Sequence, residues 1–160
     1  MATATLLPVI GKPAPDFSLP GTSGQTVTLR QFKGKKTVVL YFYPNDETPG
    51  CTKEACGFRD LSAQFEAVGA VILGVSPDAM ESHLKFQARH RLPFELLADP
   101  DAATCKAYGT WKMKNLYGKK FLGVERTTFV IDKTGRIAQI YPKVKVDGHV
   151  AEVLAFLSEE

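Results

Sequence analysis

The side chains best suited to covalent chemistry are three cysteines, Cys51, Cys56 and Cys105. An odd, sparse set without a CxxC pair does not read as a disulfide framework. It reads as thiols kept reduced, which places the chain in the cytoplasm. The opening stretch MATATLLPVIGKPAPDF has neither a basic start nor a long apolar core, so no signal peptide is expected. A zinc site needs about four ligands at short spacings. His83, His90 and His149 are scattered, and no metal is expected.

Cys51 stands out by position. It follows the apolar run Thr37–Tyr43 (TVVLYFY) and Pro44, at the start of a segment patterned as a helix. In open α/β sheets functional groups collect at the carboxyl ends of strands. The first turn of a helix offers free N–H groups and the positive end of its dipole, which favour an anion. For cysteine that anion is the thiolate, the reactive form. Burial as a small apolar side chain is the other reading of such a cysteine. Asp46, Glu47 and Glu54 lie close by in sequence and oppose a thiolate, and Lys53 offsets only one of them. Arg126 is the candidate for a second positive charge. It falls in the expected strand Val124–Ile131, where alternation sets Val124, Arg126, Thr128 and Val130 on one face. A structural ion pair with an acidic residue accounts for Arg126 equally well.

Cys56 is five residues further along the same expected helix. Ideal geometry puts the two Cα atoms about 8.6 Å apart, with Cys51 at the edge of the apolar stripe and Cys56 nearly opposite, toward solvent. An unstrained disulfide spans less than about 7 Å between Cα atoms. The pair can bond only if the helix unwinds, or the two are unrelated. Cys105 lies among alanines in a short helix and reads as packing.

The elements that position these residues follow from patterning. Residues 1–15 form a polar lead-in. Asp16–Leu19 and Thr26–Leu29 make a hairpin around Gly21–Gly24. Thr37–Tyr43 suits a strand buried on both faces. Thr48–Val68 is a helix, with Thr48 as cap, Pro49 in its first turn, and Ala55, Phe58, Leu61, Phe65 and Val68 as its buried stripe. Then come strand Ala70–Val75, helix Ala79–Arg91, strand Glu95–Ala98, helix Ala102–Tyr108, strands Val124–Ile131 and Arg136–Tyr141, and helix Val150–Leu157. Alternating strands and helices give an α/β fold: a mostly parallel mixed sheet covered by helices, with an N-terminal hairpin and a late antiparallel edge.

The composition agrees. At 160 residues, 44% hydrophobic and 23% charged, the chain makes one globular domain that needs no disulfide staples. Its longest apolar run is far below the roughly 20 residues that cross a bilayer, so no membrane partner is expected. Net charge is +3, and the excess lies in residues 81–160, around Lys106, Lys112, Lys114, Lys119 and Lys120. Without an aromatic-rich recognition motif these lysines read as a solvated face rather than a nucleic-acid patch.

The run Pro44-Asn45-Asp46-Glu47-Thr48-Pro49-Gly50-Cys51 resembles the active-site pattern P-x-x-x-T/S-x-x-C of the peroxiredoxins. Its extension Thr48–Asp60 (TPGCTKEACGFRD) is similar to the bacterioferritin comigratory protein, or peroxiredoxin Q, branch. DFSLP (16–20), GVSPD (74–78), LLADPD (96–101) and ERTTFVID (125–132) carry the likeness along the chain. The resemblance implies a thioredoxin-like fold over 1–160 and a cofactor-free peroxidase. It makes Cys51 the peroxidatic nucleophile and Cys56 its resolving partner. Thr48 becomes a hydrogen-bond acceptor near the peroxide, Pro44 a shield and Arg126 the stabilising cation. It also implies a monomer recycled by thioredoxin or a similar dithiol. A thioredoxin-like disulfide oxidoreductase would share the fold but would be expected to carry CxxC. A non-catalytic binding or chaperone-like module would merely keep the thiols.

Overall fold

The protein is described by a computed structural model over residues 7–159. In chain order its elements are β1 (Ser18–Pro20), β2 (Thr26–Thr28), β3 (Thr37–Phe42), α1 (Pro49–Asp60), α2 (Ser62–Ala67), β4 (Ala70–Ser76), α3 (Met80–His90), β5 (Glu95–Ala98), α4 (Ala103–Ala107), β6 (Trp111–Leu116), β7 (Lys119–Val124), β8 (Thr127–Ile131), β9 (Ile137–Tyr141) and α5 (His149–Ser158). β1 and β2 form the expected hairpin. The main sheet runs β5-β4-β3-β8-β9, with β3–β4 and β4–β5 parallel and β3–β8 and β8–β9 antiparallel.

β3 is central because it can be buried on both sides. Val39 and Tyr41 point into one core, with Phe58, Phe65, Phe86 and Val153 of the helices α1, α2, α3 and α5. Val38, Leu40 and Phe42 point into the other, with Leu19 and Val27 of the hairpin, Cys105 of α4, and Tyr108. An apolar run with no polar alternation is what such a strand requires. Phe58 is fully buried and stacks on Tyr41 at 4.8 Å between centroids. Burying a side chain of that size contributes about 1.5–3 kcal/mol. Beside it α1 packs tightly on α5: a Cβ on Gly57 would stand 3.0 Å from Val150 Cγ2.

Several expectations change. The single helix expected over 48–68 breaks at Leu61, which has φ −105° and ψ 10°. Apolar spacing does not register a one-residue break, since Phe58 and Phe65 are two full turns apart and face the same core either way. Val68 lies past the end of α2 and is exposed rather than part of the stripe. Thr48 occupies the cap position of α1, but its hydroxyl makes no capping hydrogen bond. The lead-in is also more than a tail from Gly11 onward. Gly11 N donates to Ile137 O, Ile137 N to Lys12 O and Ala14 N to Gly135 O, so this stretch lines the outer edge of β9. Residues 1–6 of that lead-in lie outside the described part.

The largest departure is at residues 111–124. The solvated face expected around Lys112–Lys120 is a second, separate hairpin, β6–β7, turned at Tyr117 and Gly118, both with positive φ. The strand expected over Val124–Ile131 is therefore two strands, joined through Glu125 and Arg126. Val124 enters the core on the hairpin side, while Val130 packs on the side of α1. The expected common face of Val124 and Arg126 is thus lost at the junction.

Candidate active site

Cys51 sits in the first turn of α1, after Pro49 and Gly50, and is 1% exposed. The amides of Gly50 and Cys51 are among the first-turn donors that a helix leaves without partners. Arg126, from the junction before β8, brings Nη2 to 3.3 Å from Cys51 Sγ. Its Nη1 donates to Glu54 Oε1 at 2.7 Å. Gly50 makes this approach possible, because a Cβ there would stand 3.2 Å from Arg126 Nη2. The two readings of Arg126 left open by the sequence are both present at once: it is the ion-pair partner of a buried acid and the cation beside the thiol.

Two of the three nearby acids, Asp46 and Glu47, are held by partners from elsewhere in the fold. Asp46 accepts hydrogen bonds from Tyr43 Oη (2.7 Å) and Ser82 Oγ (2.8 Å), and meets His83 Nδ1 at 2.7 Å. Burial would raise its pKa, but these bonds outweigh burial and hold it below the ordinary carboxylate range. His83 also reaches Leu97 O through Nε2 at 3.0 Å, and Asp46 N donates to Asp78 Oδ2 at 2.7 Å. This buried clasp fastens the loop between β3 and α1 to β4, α3 and β5. Glu47 pairs with Arg89 at 3.1 Å. Lys53 does not offset any of the three acids; it pairs with Asp147, near the start of α5.

Glu54 is the exception to easy neutralisation. It is fully buried, and its Oε2 has no hydrogen-bond partner among the described residues, nor does the buried Tyr41 hydroxyl. Burial pushes the Glu54 carboxyl up to about 7, although Arg126 pulls the other way. One guanidinium therefore faces two groups that compete for its charge.

Thr48, half-buried, donates its hydroxyl proton to Asn45 O at 3.0 Å. That bond uses the hydroxyl proton and leaves the oxygen lone pairs free to accept. Pro44 is half-buried at the start of the same loop. Cys56 is half-buried, five positions along α1. Cys105 is fully buried in the core on the opposite side of the sheet from Cys51. Burial and the neighbouring Asp99 carboxylate raise its thiol far above the ordinary range. The structure thus gathers Pro44, Thr48, Cys51 and Arg126 at the carboxyl end of β3, keeps Cys56 nearby, and sets Cys105 apart. Sequence reasoning did not find the His83–Asp46 clasp, whose partners are 37 positions apart. It counted Glu54 only as an unfavourable charge.

Residues 10–140 match the AhpC/TSA family. The chain is 52% identical over 150 residues to peroxiredoxin Bcp of Bacillus subtilis, covering 94% of this chain and 95% of that one. Among solved structures it is similar to Xanthomonas campestris peroxiredoxin Q, with a TM-score of 0.85, 44% identity and 90% of each chain covered. It is also similar to a cysteine-to-serine mutant of Xylella fastidiosa PrxQ, with a TM-score of 0.89, 38% identity, and 95% and 96% coverage. A further similar structure, at 44% identity and a TM-score of 0.85 over 89% of this chain and 90% of the other, is of the Xanthomonas campestris bacterioferritin comigratory protein and concerns its alkyl peroxide reduction activity. Fold and sequence agree, and the chain belongs to the AhpC/TSA family, as a peroxiredoxin of its bacterioferritin comigratory protein (peroxiredoxin Q) branch.

Proposed function

We propose that this peroxiredoxin reduces hydrogen peroxide and organic hydroperoxides through a sulfenic acid on Cys51, resolved by Cys56. The observation that carries the reading is the 3.3 Å contact from Arg126 Nη2 to a buried Cys51 Sγ. A guanidinium within hydrogen-bond reach favours the thiolate over the thiol. The thiolate attacks one oxygen of ROOH; the S–O bond forms as the O–O bond breaks, and the departing alkoxide takes a proton to leave as ROH. Cys51 is oxidised by two electrons to the sulfenic acid. Arg126 and the amides of Gly50 and Cys51 line the anion site as donors. The Thr48 hydroxyl, already donating to Asn45 O, accepts the hydrogen of the bound hydroperoxide. Pro44 limits access of bulk water.

Cys56 then condenses with the sulfenic acid, releasing water and forming a disulfide. In the helix the two Cα atoms are about 8.6 Å apart, so the first turns of α1 must unwind for this step. An external dithiol, which we take to be thioredoxin, returns both thiols by exchange. In our reading the enzyme works as a cytoplasmic monomer. Peroxide consumption with reduced thioredoxin as the electron source tests the scheme, together with mass mapping of the oxidised protein. Turnover lost in Cys51→Ser and a Cys51–Cys56 bridge are expected. Full turnover in Cys51→Ser, or a bridge that leaves out Cys56, overturns it.

A further inference from the structure

Glu54 lies on α1 between Cys51 and Cys56. Any unwinding that lets these two thiols meet runs through it. In the wound helix it is fully buried. Its Oε1 accepts from Arg126 Nη1 at 2.7 Å, and the other nitrogen of the same guanidinium stands 3.3 Å from Cys51 Sγ. Its Oε2 has no hydrogen-bond partner among the described residues. A buried carboxyl with one oxygen unpartnered is tolerated as the acid and costly as the carboxylate. Unwinding carries that oxygen into water, which hydrates the carboxylate in full. Asp60, the other acid of α1, is exposed beside Arg59 and gains nothing by unwinding.

We infer that Glu54 is a positioning residue for the resolution step: seated, it holds Cys51 and Cys56 apart on a wound α1, and its ionisation favours the unwound segment in which they can meet. The inference rests on the function proposed above. Burial pushes the Glu54 carboxyl from 4.5 to about 7 while the helix is wound, against the pull of Arg126. The wound state therefore holds the proton more tightly than the unwound one. Its advantage is complete below pH 4.5 and is lost as the pH rises through 7. The groups that face Glu54 are Arg126 from the junction before β8, Tyr41 from β3 and Cys51 on its own helix. Burial raises Tyr41 well above its ordinary range, so it stays neutral throughout. The helix α5, packed on α1, contributes His149, which burial lowers although Glu152 raises it. The strand β6 contributes Lys114, lowered by burial and then by Arg126. In acid the wound helix delays Cys56. Excess peroxide then has longer to oxidise the sulfenic acid to the sulfinic acid, being itself reduced to water or alcohol.

The test is native-state hydrogen exchange of the reduced protein at pH 5 and pH 8, corrected for intrinsic exchange rates, with the amides of α1 read against those of β3. Relative to Glu54→Gln, which cannot ionise at this position, the opening constant of wild-type α1 rises roughly 50–100-fold between the two pH values. Asp60→Asn follows the wild type. Whatever else titrates is common to these proteins and cancels in the ratio. After one equivalent of hydrogen peroxide, the rate of Cys51–Cys56 disulfide formation shows the same ratio. A ratio that does not change with pH overturns the inference, as does a wild-type opening that is flat over this range. Equal protection of α1 and β3 at both pH values overturns it too, because Glu54 would then act only on unfolding of the whole molecule. Exchange needs neither peroxide nor turnover, so failure of the peroxidase scheme and failure of this inference are read separately.

Discussion

Glu54→Gln stabilises the folded protein at neutral and alkaline pH and leaves it unchanged in acid. The Glu54 carboxyl is pushed by burial from 4.5 to about 7, even with Arg126 at 2.7 Å. The folded state therefore holds this proton more tightly than the unfolded chain does. The stability that comes from the proton is complete below pH 4.5 and is lost as the pH rises through 7. Over that interval, at about 1.36 kcal/mol per pH unit, the loss is about 3 kcal/mol. Glutamine does not titrate, keeps an acceptor for Arg126 Nη1, and replaces the partnerless Oε2 with a donor. Wild type and variant should then coincide near pH 4.5 and separate by about 3 kcal/mol at pH 8, roughly 6–12 °C for a domain of this size. Urea denaturation of the reduced proteins at a series of pH values and constant salt measures the gap. A gap that is flat with pH, or that narrows as the pH rises, refutes the reasoning.

Arg126→Ala slows the reaction of reduced Cys51 with hydrogen peroxide, because it removes the donor 3.3 Å from the sulfur; single-turnover kinetics read the loss. It also destabilises the fold increasingly as the pH rises above 7, because without Arg126 the buried Glu54 carboxyl must keep its proton; Arg126→Ala combined with Glu54→Gln regains the stability but not the reaction rate. Cys105→Ser keeps peroxide turnover, because the sheet separates it from Cys51. Turnover that collapses while circular dichroism stays native would make Cys105 the resolving thiol.

The parts of the fold that rest on burial were legible in the sequence. TVVLYFY had to be a strand covered on both faces, and Pro49 marked where the helix after it begins, which together located Cys51. Arg126 was harder. Its approach to Cys51 depends on a strand junction that alternation alone ran straight through. The β6–β7 hairpin escaped detection because it stands outside the main sheet. Lys112, Met113, Lys114 and Asn115 show no buried face, and Tyr117–Gly118 is not one of the common turn pairs. The links that neutralise Asp46 and Lys53 could not be read locally, since their partners lie 37 and 94 positions away.

The close seating of Gly57 on Val150 bears on how far oxidation can disturb the molecule. Phe58, the next residue, is wedged under Tyr41 and Phe94. Together they pin α1 just beyond Cys56. Cys56 is therefore the last residue of α1 before the one seated against α5. A cysteine one turn further on would also bring Phe58 and the α1–α5 contact into the loosened segment. In the mechanism proposed above, the second thiol at Cys56 keeps the disturbance to residues 49–56. On that mechanism the oxidised enzyme would offer its reductant a short loosened segment on a body whose α1–α5 contact is kept.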